Sequence, residues 1–577
     1  MGFIDISIIA LYFVIVIGMG FVLSKRASKN LEAYFLGGRG MHWLALAMSG
    51  ATSNFDITGT MWIVSLIYIM GMRSMWVHWM WGVMMGAFFM SYMGKWVRRS
   101  NVVTGAEWMV TRFGNDLGGR TARLSYAVMA VTTLTGFIGY AFQGIGKFAA
   151  VYIPLGPTAC GIIIIGTTTL YVLLGGLYGV VFTNVIQTVI LVFSSIVIAF
   201  VAYNHLSPEL INSSVSADWF SLRPVWRLEH LAGTEHAQYE IFGALVIIWV
   251  LKGFLLNAGG PAQMYDFQTF LAAKNPRDAS KLGAAWSVFL IVRWAMTMGI
   301  TLLAVTGIAS VTDPEQVMPI VLKQFLPVGF RGIVIAGLLA AFMSTFSATV
   351  NSAASYIVRD IWQPYFRPDA GEKQLVRAGY VSTILIVIIG ILFGMNANSI
   401  AHIWNWLMMA LGAGVLIPNM LRWYWWRMNG WGYAAGTVLG ILLSLSVLFF
   451  PQAAMYIYFP PIVLLSFAGC IIGSYATRPV AESTLVAFYR TVRPFGLWQT
   501  IKSRSGLSSE ELSLRSESGY ITVVNVVLGM IAVTGYYLFP MYLVGHLHAA
   551  SMVWLGCALA ATIIMKFTWY DNLPEEK

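Results

Sequence analysis

Three stretches of this chain put polar chemistry into apolar surroundings. The first reads Ser49-Gly50-Ala51-Thr52-Ser53-Asn54-Phe55-Asp56-Ile57-Thr58-Gly59, inside a hydrophobic run over 43–66. If that run crosses a membrane, holding Asp56 there costs a few kcal/mol or more, and such residues mark ion and solute paths. Two glycines flank the acid and small hydroxyl residues surround it. That composition suits a helix that unwinds and frees carbonyls for a cation. The second stretch, Asn257-Ala258-Gly259-Gly260-Pro261, ends a short apolar run over 241–258. The third runs from Ala341 to Ser352 and sets the adjacent hydroxyls of Ser344 and Thr345 on an apolar helix. Sodium, like calcium, is a hard cation that takes oxygen ligands, and hydroxyls on one helix with freed carbonyls on another make such a cage. The competing readings are polar contacts between helices for the first stretch and hydroxyls bonded back to their own helix for the third.

The elements that must carry these residues are membrane spans. Of 577 residues, 58% are hydrophobic and only 10% charged, where a soluble chain would carry about 25% charged residues. A crossing needs about 20 apolar residues. Fifteen runs qualify: 5–24, 43–66, 75–95, 124–149, 158–177, 180–203, 241–258, 282–309, 329–357, 377–396, 400–421, 431–450, 456–474, 519–539 and 545–567. The first has no preceding basic segment and no small-residue cleavage site, so it reads as a retained span rather than a signal peptide. The net charge of +11 is spread over short loops rather than gathered in one stripe, which excludes a nucleic-acid-binding domain. The loops after odd-numbered spans hold 27 of the 35 basic residues. By the positive-inside rule the N-terminus is expected outside and the C-terminus in the cytoplasm of a plasma (inner) membrane. The largest inner loop, 475–518, reads as an amphipathic or mobile linker.

The two interrupted runs, 43–66 and 241–258, lie five spans apart. Paired interruptions of this kind point to a transporter built from repeats, and five-span repeats must be inverted, so spans 2–6 and 7–11 form the expected halves. An enzyme finds little support. His546-x-His548 has no acidic or cysteine partner nearby, Gly114–Gly119 lacks the Lys-Ser/Thr of a phosphate loop, and Cys160, Cys470 and Cys557 all sit in apolar runs.

Gly175-Gly176-Leu177-Tyr178-Gly179-Val180-Val181-Phe182-Thr183-Asn184-Val185-Ile186-Gln187 resembles the signature of the sodium:solute symporter family, in which Gly-Gly, a spacer, Thr-Asp and Gln follow in order. Ala341 to Ser352 followed by Arg359-Asp360-Ile361 is similar to the family's sodium-site helix, and Tyr34-Phe35-Leu36-Gly37-Gly38-Arg39 to its loop before the first core helix. The resemblance covers roughly residues 5–475. It implies an all-α membrane protein with a LeuT-type core of inverted five-helix repeats at 41–422 (41–203 and 240–422). An extra span lies in 1–40 and further spans in 423–577. It implies a sodium site from the carbonyls of Ser49, Thr52 and Ala341 and the hydroxyls of Ser344 and Thr345. Sodium is then the coupling ion, with no other cofactor, and the partners are a small polar solute and membrane lipid. Asn184 stands where the family has Asp, and Ala348 where members with a second sodium site have a hydroxyl. One sodium per solute is therefore expected.

The family's sugar carriers surround the solute with polar side chains from the first, second, sixth, seventh and tenth core helices. The positions resembling those are Asp56, His78, Asn257, Arg293 and Asn405, with Trp79, Trp404 and Trp406 as flat faces for a ring. Acid, amide and aromatic groups together suit a polyol, so the expected solute is a sugar or sugar derivative. The sugar-binding lysine of the seventh core helix is out of register, and Arg293, three residues on, is the nearest cation. A guanidinium suits a carboxylate, which makes a sialic or uronic acid the alternative. Arg293 could instead pair with Asp56 and neutralise both.

Overall fold

The computed structural model describes residues 2–27, 40–102, 104–260, 266–307, 311–397, 399–447, 454–514 and 517–574. The Tyr34–Arg39 motif and Pro261 lie outside them. The described chain is helical, and among the described residues the only β-pairing is two isolated bridges. Among the described residues, ten helices are long and apolar enough to cross a membrane, and four shorter ones are apolar.

The helices that frame the site are α1 (Phe3–Ala27), α2 (Trp43–Asn54), α3 (Ile57–Met70), α4 (Met75–Phe88), α5 (Leu117–Ala150), α6 (Pro157–His205), α7 (Phe242–Ala258), α8 (Asp266–Leu271), α9 (Pro276–Phe289), α10 (Ile291–Gly307), α11 (Phe330–Ser355), α12 (Glu372–Met395), α13 (Ile400–Asn405), α14 (Gly412–Tyr424) and α15 (Gly430–Ser446). The chain continues through α16 (Met455–Ala476), α17 (Glu482–Val492), α18 (Gly519–Val544) and α19 (His548–Thr568). The short helix α2 is enclosed by α6, α9 and α11, and every residue from Ser49 to Asn54 is buried. The outermost helices behave oppositely. On α12 the side chains of Leu385, Ile388, Ile389 and Leu392 are exposed, an apolar surface that lipid solvates.

The expected spans 158–177 and 180–203 are joined in one helix, α6, of 49 residues. At 1.5 Å per residue such a run is about 74 Å long. No proline or charge interrupts it, and its glycines weaken helical bonding without stopping it. Loop 475–518 is not a loose linker. Its helix α17 packs on the core through Phe488, which meets Trp108 edge-on and lies against the Arg112 guanidinium.

Two faces emerge from the connections. Arg98 donates to the carbonyls of Ala273 and Lys274, Arg112 to those of Arg422 and Trp425, Arg123 pairs with Asp360, and Arg99 with Glu517. These basic-rich loops therefore share one end of the bundle. The opposite end gathers Asp5 with Arg331, Arg73 with Asp218, and Lys147 with Asp313 and Glu315.

Candidate functional site

The run 43–66 is broken between α2 and α3. Phe55 leaves helical geometry, Asp56 is extended (φ −54°, ψ 148°), and its carboxylate caps α3 by accepting the Gly59 N–H at 2.8 Å. Such a break strands the last carbonyls of α2 at membrane depth, where each must find a partner. Two side chains from the other half of the chain supply them. Arg293 Nη1 donates to Asn54 O at 2.8 Å, and Thr345 Oγ1 donates to Ser53 O at 2.6 Å. Arg293 further donates from Nε to Thr60 Oγ1 at 3.2 Å and from Nη2 to Asp56 Oδ1 at 3.4 Å, with its guanidinium 5.3 Å over the Phe55 ring. The second break follows the same logic. Gly260 takes φ +110°, a conformation that suits glycine, and the freed Gly259 carbonyl accepts from Trp423 Nε1 at 3.0 Å and Arg422 Nη2 at 3.3 Å.

The oxygens of α2 and α11 form one cluster. Thr345 Oγ1 lies 3.1 Å from Ala341 O, Ser344 Oγ lies 3.0 Å from Ser53 Oγ, and Ser53 Oγ donates to Ser49 O at 3.1 Å. These are hard donors that fit a sodium ion. Ser53 stands at the centre of the cluster, and the sequence reading did not single it out. The Thr52 hydroxyl meets that of Thr188 at 2.5 Å, and the Thr52 carbonyl accepts the Phe55 N–H at 3.1 Å. Asn184 spends its amide on Ser49 Oγ at 2.8 Å.

Beside the cluster is a cavity of about 60 Å³ lined by Asp56, His78, Arg293 and Trp404 together with Trp62, Trp249, Trp294, Phe137 and Tyr537. Its walls are aromatic rings in edge-on and tilted contact. Trp62 lies 5.0 Å from His78 and 5.2 Å from Trp404, and Tyr140 lies 5.1 Å from Trp404. Both ring nitrogens of His78 lack a hydrogen-bond partner among the described residues. Four of the six expected solute contacts thus meet in one place. The other two do not. Asn257 bonds back to Gly253 O at 2.8 Å on its own helix, and Asn405 bonds Gln238 at 3.1 Å in the segment before α7. Neither lines the cavity. The indole of Trp406 turns to Ser444 O at 3.3 Å, and the Trp79 side chain lies outside the description. Tyr537 comes from α18, one of the C-terminal spans, and touches Trp294 at 5.4 Å. Apolar position alone could not have assigned it to the site.

The model of the sodium:solute symporter family matches residues 34–440. The chain belongs to that family. The symporter is 24% identical over 498 residues to the osmoregulated proline transporter OpuE of Bacillus subtilis, covering 82% of this chain and 95% of that one. It is 26% identical over 489 residues to the sodium/glucose cotransporter of Vibrio parahaemolyticus, covering 78% and 86%. A solved Na+-coupled sialic acid symporter superposes with a TM-score of 0.67 at 16% identity, covering 83% of this chain and 99% of that one. The symporter therefore has the LeuT-type fold and is a transporter rather than an enzyme.

Proposed function

We propose that the symporter imports a small uncharged polyol, a sugar or sugar derivative, together with sodium. The observation that carries this reading is the aromatic cavity around Asp56, in which the only lining cation among the described residues, Arg293, is already committed to Asp56 and to Asn54 O. A carboxylate solute would have to displace those bonds. A neutral ring can lie on Trp62 or Trp404 while its hydroxyls reach Asp56 and His78.

Sodium binds between α2 and α11, with Ser344 and Thr345 giving hydroxyls and Ser49, Thr52 and Ala341 carbonyls, and Ser53 joins this set. Thr345 belongs both to that cluster and to the cavity wall, so an ion that fixes Thr345 and the α2 end also shapes the solute site. A cavity of about 60 Å³ is far below the roughly 300 Å³ at which small-molecule pockets begin. Solute entry therefore requires the bundle to open, which is the alternating access of such repeats. The basic face is the cytoplasmic one.

The test is a thermal-shift screen of neutral sugars, sugar acids and proline on purified protein, in sodium and in potassium. Stabilisation by a neutral sugar only in sodium is expected. Stabilisation by proline or a sugar acid, with none by neutral sugars, would overturn the reading.

A further inference from the structure

A second acid at membrane depth is not used by the site above. Asp266 opens α8 and is 1% exposed, and Asn54 closes α2 and is 7% exposed. The two half-helices lie side by side from the basic face, where Met41 and Ala273 form a parallel bridge. Their inner ends meet where Asn54 Nδ2 lies 3.4 Å from Asp266 Oδ1. Two oxygens of this pair, Asn54 Oδ1 and Asp266 Oδ2, have no hydrogen-bond partner among the described residues. No described cation pairs with Asp266, and Arg293, on the backbone of the same Asn54, is spent on Asn54 O, Thr60 and Asp56. A carboxylate so buried costs several kcal/mol unless a counter-charge joins it. From Asp266 a polar line continues toward the basic face, with Ser352 Oγ donating to Gln268 Oε1 at 3.1 Å and Gln268 Nε2 donating to Ser355 Oγ at 3.2 Å.

We propose that Asp266 Oδ2 and Asn54 Oδ1 hold a second sodium ion, separate from the one bound between Ser53 and Thr345. The proposal rests on the sodium-coupled reading. It places the missing second charge on α8 rather than at Asn184 of α6. Carboxylate and amide oxygens suit a hard monovalent cation, and the ion would sit on the cytoplasmic side of the first.

The test uses the full chain in detergent and needs no solute. Equilibrium binding of ²²Na+ is counted at saturation, alongside the slope of sodium-dependent thermal stabilisation, which grows with each site. Two ions per chain are expected in the unmodified protein. Asp266→Asn, Asn54→Ala and Thr345→Ala should each bind one, with melting in sodium-free buffer reporting that each variant is folded. One ion in the unmodified chain, lost in Thr345→Ala, would overturn this proposal and leave the first site standing. So would two ions retained in both Asp266→Asn and Asn54→Ala, which would put the second ion elsewhere. Absence of sodium binding altogether would remove the underlying reading instead.

Discussion

Replacing Arg293 with methionine keeps an unbranched apolar stem and removes the guanidinium with its charge. Three groups lose a partner at once: Asn54 O, Thr60 Oγ1 and the Asp56 carboxylate, which loses its counter-charge. The 2.8 Å bond to Asn54 O is charge-assisted, the class worth about 1.5–3 kcal/mol. The ion pair at 3.4 Å has a Coulomb term of about 5 kcal/mol at an effective dielectric near 20, before desolvation. Stranding one partner of a buried pair typically costs about 3–5 kcal/mol, and that is the expected loss. Asp56→Asn strands the guanidinium in turn. The double variant strands neither charge, so it should be more stable than the sum of the single losses by at least about 1.5 kcal/mol. The assay is a double-mutant cycle on reversible unfolding of the detergent-purified protein, with sugar and sugar-acid binding measured on each variant. Additive effects, with coupling below about 0.5 kcal/mol, would refute the argument. Arg293 would then not depend on Asp56 in the solute-free protein, and the sugar-acid reading would gain what the polyol reading lost.

Thr345→Ala removes the hydroxyl that bonds Ser53 O at 2.6 Å, and sodium-dependent thermal stabilisation from the first site should disappear while the protein stays folded. In Gly59→Ala the new methyl would fall on Asp56 Oδ1 and lie 3.1 Å from Arg293 Nη2. Helix propensity alone would favour alanine by about 1 kcal/mol, so a net loss of stability is diagnostic of the Asp56–Arg293 contact. Glu517 is buried, which pushes its carboxyl up, but Lys95 and Arg99 outweigh burial and hold it at about 2. Its folded value lies below the unfolded one of 4.5, so its stabilisation is full above about pH 4.5 and is lost as pH falls toward 2. The span is worth about 3 kcal/mol. Unfolding measured from pH 7 to pH 3 should show that decline, and Glu517→Gln should be less stable at pH 7 with a flatter profile.

The residues most legible in the sequence were those whose chemistry conflicts with their surroundings. Asp56, the Ser344–Thr345 pair and the Gly259–Gly260 interruption announce themselves because lipid tolerates none of them without a reason. The position of the break was less legible. Helix α2 ends at Asn54 because Thr345 and Arg293, 292 and 239 residues away, take its last carbonyls, and no local pattern encodes that. The resemblance set two carbonyl ligands at Ser49 and Thr52, whereas Ser53 O is the α2 carbonyl that meets Thr345. Asn257 and Asn405 have the right chemistry, but hydropathy gives no rotation about the helix axis, and both turn to other partners. Asp266 was hidden for a different reason. It stands between the apolar runs 241–258 and 282–309, where hydropathy assigns a solvated loop, and it is buried only because α8 returns beside α2. The charges at the break can then be balanced. Arg293 neutralises Asp56 and serves Asn54 O, just as Arg422 serves Gly259 O at the second break. That leaves the Asp266 carboxyl with no described cation to meet it. A coupling count of one, drawn from Asn184 and Ala348, supplies no cation there, and the proposed second sodium would.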